Sequence, residues 1–295
     1  MKEKVTAGKI WGIIYPVLIA LAVSEICAAV WSVIMTIQLM GTGNYSSNEA
    51  LMQRLQELSV QHALMLTMIA SLITIPILIF FMHRDRKKDC ERGLYIKYSG
   101  VTFPKYILII PFAIFGMLAA NYFTSILIMF MPDSMLSTYD YAQQAIYGSS
   151  LALQVIAAAI VGPIVEELIF RGLIYTRIKK MAGVICAAIL SSAIFGVYHG
   201  NWVQLPYAFI IGLICVYVYE KYKTIAAPII LHMTANMFSV ILSSVASGTS
   251  GEQTAAFSFE EQLMSLMVMT IITGCFDLLF GAAINKTVKS KEVSV

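Results

Sequence analysis

Long apolar runs with few charges constrain the fold of this chain more than any other sequence feature. A helix needs about 20 apolar residues to cross the hydrocarbon core of a bilayer. Eight such runs are predicted as spans, and they cover residues 10–39, 63–82, 106–131, 151–174, 184–199, 203–219, 225–245 and 263–284. The fifth and sixth are short. The sequence therefore predicts an all-α polytopic membrane protein, a single transmembrane domain over residues 1–295.

Charge supports this prediction and gives an orientation. Hydrophobic residues make up 59% of the chain and charged residues 13%, whereas a soluble domain carries about 25% charged residues. Basic residues cluster in alternate segments, at residues 2–9, 84–88, 177–180, 221–223 and 286–291. The intervening loops 41–61, 132–150 and 247–262 hold one basic residue, Arg54. By the positive-inside rule, both termini are expected in the cytoplasm.

The same charges bear on partners. The net charge of +3 is small, and the basic residues are interpreted as topology signals rather than as a surface for nucleic acid. No nucleic-acid partner is therefore expected, and the lipid bilayer is. The five cysteines form no C-x-x-C pair, so they predict neither a disulfide framework nor a zinc ribbon. The sequence does not determine the oligomeric state.

One apolar run contains an unusual pair of carboxylates. Glu166 and Glu167 lie in the fourth predicted span, and Arg171 follows four residues after Glu167. A charged side chain at the centre of a spanning helix costs roughly 2.5–3.5 kcal/mol on insertion scales. Glu167 and Arg171 share a helix face and can pair, whereas Glu166 points about 100° away and lacks that partner. Glu166 is therefore the candidate for a chemical role, as a base that takes a proton from water.

Two further polar groups lie in later spans. His199 follows Phe195 at the end of the fifth span, and His232 lies one helical turn before Asn236 in the seventh. Imidazole and carboxamide groups can donate hydrogen bonds to a developing oxyanion. Counting residues along the helices places His199 nearer the far side of the membrane than Glu166. A tilted helix or a bend at Gly196 would have to close that gap.

These motifs together carry a resemblance to a known family. The order EExxxR, FxxxH and HxxxN, each in a separate span, is similar to the CAAX prenyl protease and bacteriocin-processing family of intramembrane endopeptidases. The signature core covers about residues 150–245. The resemblance implies an active site among spans four, five and seven, in a multi-pass protein of a bacterial cell membrane. It implies catalytic roles for Glu166, Glu167, Arg171, His199, His232 and Asn236, and a peptide or lipidated protein as substrate.

Alternatives remain open at this point. No cofactor is expected, but Glu166, His199 and His232 also form a legitimate ligand set for a divalent metal such as zinc. Two alternative functions are a transporter, which also places charges within the membrane, and a non-catalytic protein that gives immunity to a bacteriocin. The remaining acids in apolar spans, Glu25 and Asp277, are interpreted as structural or cavity-lining residues.

Overall fold

The computed structural model describes residues 4–42, 47–98, 100–248, 258–289 and 292–293. Nine helices form within these ranges, where adjoining α, 3₁₀ and π segments are counted as one helix. They are α1 Ala7–Gly41, α2 Asn48–Glu91, α3 Phe103–Ile128, α4 Asp133–Tyr147, α5 Leu151–Ala182, α6 Val184–Tyr198, α7 Gln204–Tyr222, α8 Ala226–Gly248 and α9 Phe259–Thr287. Strand β1, Lys97–Tyr98, pairs antiparallel with strand β2, Glu292–Val293.

The predicted fold class is confirmed. Seven helices of the described chain are long and apolar enough to cross a membrane, namely α1, α2, α3, α5, α7, α8 and α9. Helix α6 is apolar but has only 15 residues, and it coincides with the fifth predicted span. The chain is therefore a multi-pass integral membrane protein, in which each predicted span falls on one helix.

Two of the predicted loops are wrong, because much of each is helical. Helix α2 begins at Asn48, where the Ser47 side chain accepts a hydrogen bond from the Ala50 amide. Its 44 residues extend about 66 Å at 1.5 Å per residue, roughly twice the thickness of the hydrocarbon core. The loop 132–150 contains α4. Apolar runs predict only the buried or lipid-facing part of a helix, so these polar helical segments escape that signal. Of the third loop, residues 249–257 lie outside the described residues.

Helix α7 occupies the centre of the packing. Its residues Ala208 and Val216 pack in a core cluster with α2, α5 and α6. On its other side, Ile211 and Cys215 pack in a second cluster with α3, α8 and α9. A helix that contacts neighbours on two sides can bring groups from α5 and α8 together across its surface. By contrast, most of the length of α1 and α9 is exposed, as expected for helices that face lipid.

Small residues allow α6 and α7 to approach closely. A Cβ atom at Gly212 would lie 2.8 Å from Ser192 Cβ and 3.1 Å from Ser192 Cα. A Cβ atom at Gly196 would lie 2.7 Å from the backbone oxygen of Leu205. Close approach at small residues is the usual source of helix packing energy in membranes, where no hydrophobic force draws helices together. Gly212 therefore fixes the spacing of the two helices.

We predict that Gly212→Ala destabilises the fold. The added methyl group meets the backbone of α6, so the helices must separate, and overpacking of this kind costs about 1–3 kcal/mol. Thermal unfolding in detergent should show a lower midpoint for this variant. Gly274→Ala in α9 is the matched control, because a Cβ atom there meets nothing within 4 Å. Equal midpoints for the two variants would contradict the close approach of α6 and α7.

Candidate active site

Helix α5, which carries the glutamate pair, is not a regular α-helix. Two π-helical stretches, Gln154–Val161 and Leu168–Tyr175, flank the α-helical turn Gly162–Glu167. Short π-helical insertions occur frequently at functional sites because they redirect side chains and free backbone groups. The glutamates therefore lie on a turn whose neighbours on both sides have altered hydrogen bonding.

Pro163 explains how one backbone carbonyl becomes free. The Gly162 amide donates to the Ala157 carbonyl rather than to Ala158. The next amide in the π pattern would belong to Pro163, which has no N–H group. The Ala158 carbonyl instead accepts a hydrogen bond of 2.8 Å from Asn236 Nδ2. This bond ties α8 to α5 and leaves Asn236 with a second N–H group.

Glu167 is the centre of a buried ionic cluster. Its Oε1 atom accepts hydrogen bonds from Arg171 Nη1 at 2.9 Å and from His232 Nδ1 at 2.9 Å. Arg171 also donates from Nη2 to the Gly212 carbonyl at 3.0 Å. Glu167 and Arg171 are fully buried. The cluster therefore connects helices α5, α7 and α8, and one of its acceptors is the glycine carbonyl where α7 meets α6.

The hydrogen bonds also fix the histidine tautomers. A carboxylate and a carbonyl can only accept, so His232 carries a proton on Nδ1 toward Glu167. His199 likewise donates from Nδ1 to the Phe195 carbonyl at 2.9 Å. In the neutral state, the Nε2 atom of each ring is then an acceptor. Donation from Nε2 to an oxyanion then requires the imidazolium form of the ring.

Glu166 differs from Glu167 in both exposure and partners. Its Oε2 atom lies 3.7 Å from His232 Nε2, and its side chain is 20% exposed, whereas that of Glu167 is 0% exposed. A separation of 3.7 Å is too long for a direct hydrogen bond. Glu166 therefore presents an oxygen beside an imidazole nitrogen, at a position that is partly open.

His199 joins the site through the ring of Phe195. The Phe195 centroid lies 4.8 Å from that of His199 and 5.8 Å from that of His232. The Arg171 guanidinium carbon lies 4.7 Å from the same centroid. All three predicted motifs thus meet around one aromatic ring. His199 contacts the cluster indirectly, while Glu167 is hydrogen-bonded to both Arg171 and His232, and Glu166 lies beside His232.

Residues 148–238 match the family model described as type II CAAX prenyl endopeptidase Rce1-like. The chain is therefore similar to this family over that segment. The resemblance predicted from the three motifs is therefore confirmed, and the Rce1-like segment contains every residue of the site described above.

Two curated relatives give the extent of the similarity. The chain is 34% identical to the membrane protein YdiL of Bacillus subtilis (strain 168) over 93 residues, which are 32% of this chain and 38% of YdiL. It is 32% identical to the membrane-embedded CAAX protease MroQ of Staphylococcus aureus (strain USA300) over 152 residues, 46% of this chain and 58% of MroQ. The matches thus span less than two thirds of either relative. No solved structure matches significantly.

Helix α7 contributes groups to the candidate site that sequence reasoning missed. The Gly212 carbonyl accepts from Arg171, and one ligand atom each of Cys215, Glu167 and His232 lie within 4.8 Å of one another. A glycine carbonyl has no side-chain signature. Cys215 stands in an apolar run without a second cysteine, so its type and spacing gave no signal.

The donor atoms do not favour a metal at this cluster. Within the described residues, the group with metal-like spacing is Glu167, Cys215 and His232, whereas the alternative ligand set considered from the sequence was Glu166, His199 and His232. Glu167 Oε1 already accepts from the Arg171 guanidinium at 2.9 Å. A divalent cation there would be placed against that positive charge. The cluster therefore fits an ion pair better than a metal centre.

We predict that Arg171→Gln strongly destabilises the protein. Loss of one partner from a buried ion pair leaves an uncompensated charge and costs about 3–5 kcal/mol. Thermal unfolding in detergent measures this loss, and the double variant Glu167→Gln/Arg171→Gln should recover part of it. Arg54→Gln is the matched control, since Arg54 pairs with Glu57 at 2.9 Å with both side chains exposed, where a pair contributes about 0–1 kcal/mol. Similar midpoints for Arg171→Gln and Arg54→Gln would exclude a structural role for the cluster.

Proposed function

We propose that this chain is an intramembrane endopeptidase in which Glu166 activates a water molecule for attack on a peptide bond. The observation that carries the proposal is the separation of roles within the glutamate pair. Glu167 is buried and bonded to Arg171 and His232. Glu166 is partly exposed and has an oxygen 3.7 Å from His232 Nε2. Of the two glutamates, only Glu166 is partly exposed, so Glu166 is the one that water and substrate can reach.

The spacing of these two acceptors suits a nucleophilic water. A water about 2.8 Å from each atom fits between Glu166 Oε2 and His232 Nε2. Both atoms accept, so both water hydrogens would point toward the protein and a lone pair would face the substrate carbonyl. Glu166 then takes the proton as a general base. In the later step, the protonated Glu166 returns that proton to the leaving amine.

The neighbouring groups have supporting roles. Arg171 holds Glu167, and Glu167 holds the His232 ring through Nδ1, as the orienting acid of a catalytic histidine does. The second N–H group of Asn236 is available to the tetrahedral oxyanion, since the first is bonded to Ala158. His199 and His232 can donate from Nε2 in their imidazolium forms.

The proposed substrates are lipidated or membrane-associated peptides. Support comes from the type II CAAX prenyl endopeptidase model that matches residues 148–238 and from the name of the relative MroQ. The position of the site among membrane-crossing helices favours a peptide delivered from the bilayer.

We predict that Glu166→Gln lowers cleavage by about 10²–10⁴-fold, the usual contribution of a general base. The amide preserves shape but cannot accept the proton from water. The assay is hydrolysis of a fluorogenic prenylated CAAX-type peptide by purified enzyme in lipid nanodiscs. Glu25→Gln is the matched control, because Glu25 is also a glutamate in a spanning helix but is exposed on α1, away from the site.

Full activity of Glu166→Gln would contradict the proposal. Equal losses of cleavage activity in Glu166→Gln and Glu25→Gln would also contradict it. If the wild type cleaves no peptide but protects cells from a bacteriocin, and Glu166→Gln protects equally well, the non-catalytic alternative replaces it. Unfolding midpoints of both variants distinguish a lost base from a lost fold. Glu166 lies outside the ionic cluster, so the unfolding midpoint of Glu166→Gln should remain near that of the wild type.

We also predict that cleavage continues after removal of metals. The arrangement of Glu167, Arg171 and His232 accounts for the charges of the cluster without a cation. Activity is measured before and after exhaustive dialysis against a chelator, with elemental analysis of the same sample. A zinc-dependent protease treated in parallel is the control. Loss of activity that added zinc restores would instead assign a metal to the site.

A further inference from the structure

A cavity with many basic lining residues lies apart from the proposed active site, where the ends of α1, α2 and α5 meet. It has a volume of about 600 Å³. Its basic lining residues are Lys9, Arg84, Lys88, Arg92, Arg177 and Lys180. The proposed protease mechanism uses none of these residues. The cavity therefore requires a separate account.

The cavity has an excess of positive charge. Asp85 is the acidic residue among its lining residues. Asp89, which lies outside the lining, pairs with Lys180 at 2.5 Å. With both acids counted, the lining residues Arg84, Lys88, Arg177 and Lys180 alone retain a formal surplus of two positive charges. A cavity with this charge favours an anion, and several cations around it favour a group that carries formal negative charge on more than one oxygen.

Two arginines are fixed in the wall by the surrounding structure. Arg177 donates from Nε to Asp85 Oδ2 at 2.7 Å and from Nη1 to the Gly12 carbonyl. Arg84 donates from Nη2 to the Tyr15 hydroxyl at 3.0 Å, and its guanidinium stacks over the Phe81 ring at 4.6 Å. The buried Nε atom of Arg84 has no hydrogen-bond partner, and it lies 3.9 Å from Asp85 Oδ1. Hydrogen bonds, ion pairs and ring contacts therefore hold both guanidinium groups in the wall of the cavity.

The remaining wall of the cavity is largely apolar. Trp11, Ile19 and Phe81 line the cavity beside the charges, and Trp11 is 57% exposed. Tryptophan at the end of a spanning helix is typical of the boundary between headgroups and hydrocarbon. Basic pockets between spanning helices at that level bind anionic lipid headgroups. A free phosphate would use the cations but leave the apolar wall uncovered.

We propose that this cavity binds the headgroup of an anionic phospholipid, with its phosphate among the basic residues and the start of an acyl chain along Trp11, Ile19 and Phe81. The basic end of these helices is the end that the positive-inside rule assigns to the cytoplasm, where anionic lipids attract basic segments. The lipid would bridge α1 to α2 and α5. It would stabilise the packing of α1, most of which is exposed.

The site is separate from the proposed catalytic residues. Arg177 follows Glu166 by eleven residues on α5, which corresponds to about 16 Å along a helix. Loss of lipid binding therefore need not remove the catalytic groups. Conversely, a failure of the protease proposal would leave this inference unaffected, because its test measures lipid binding and stability rather than cleavage.

The test compares neighbouring lysines in one basic run. Lys88 lines the cavity and Lys87 does not, while both are exposed on α2. Purified protein in phosphatidylcholine nanodiscs is titrated with phosphatidylglycerol, and bound lipid is counted by native mass spectrometry. Lys88→Gln should weaken phosphatidylglycerol binding about fivefold, the effect of one basic residue near a charged membrane, and Lys87→Gln should not change it.

Two double variants, each of which removes two positive charges, strengthen the comparison. Arg84→Gln/Lys88→Gln should lose nearly all specific retention of phosphatidylglycerol, and Arg86→Gln/Lys87→Gln should keep it. Unfolding midpoints in phosphatidylcholine alone check that each variant folds. Equal retention of phosphatidylglycerol by the two double variants would overturn the assignment of a lipid site to this cavity. Stabilisation by glycerol 3-phosphate in detergent to the same extent as by phosphatidylglycerol would overturn the assignment to a lipid.

Discussion

The buried ion pair between Glu167 and Arg171 is the interaction on which the rest of the site depends. It places two charges in a region that excludes water, so each can remain only while the other is present. The pair is also directional. Glu167 orients His232, and Arg171 reaches the Gly212 carbonyl on α7. One ion pair therefore joins three helices and sets the tautomer of the imidazole that faces Glu166.

The irregularity of α5 makes this arrangement possible. Pro163 cannot donate in the π pattern, so the Ala158 carbonyl is available to Asn236. That bond holds α8 against α5 at Asn236, one helical turn after His232. In a regular α-helix the Gly162 amide would satisfy the Ala158 carbonyl within α5, and the amide of Asn236 would lack this partner. A local defect in one helix thus becomes a contact between two helices.

Much of this could be predicted from the sequence, for identifiable reasons. The length of an apolar run matches the length of a helix that crosses the membrane, so the runs predicted the polytopic fold and the place of each span. The spacing of Glu167 and Arg171 predicted their pairing, because i and i+4 residues share a helix face. Helix α4 and the polar start of α2 were missed, since polar helices carry no hydropathy signal. The Gly212 carbonyl and Cys215 were missed because packing, rather than residue type, brings α7 to the cluster.

The central claim is that Glu166 and His232 hold a nucleophilic water beside a structural ion pair. An experimental structure of the wild-type protein in lipid, at a resolution that shows ordered water, tests this most directly. The account predicts a water within about 2.8 Å of both Glu166 Oε2 and His232 Nε2, with Arg171 on Glu167. A metal ion at about 2.0–2.2 Å from these same atoms, or Arg171 paired with Glu166 instead, would contradict it.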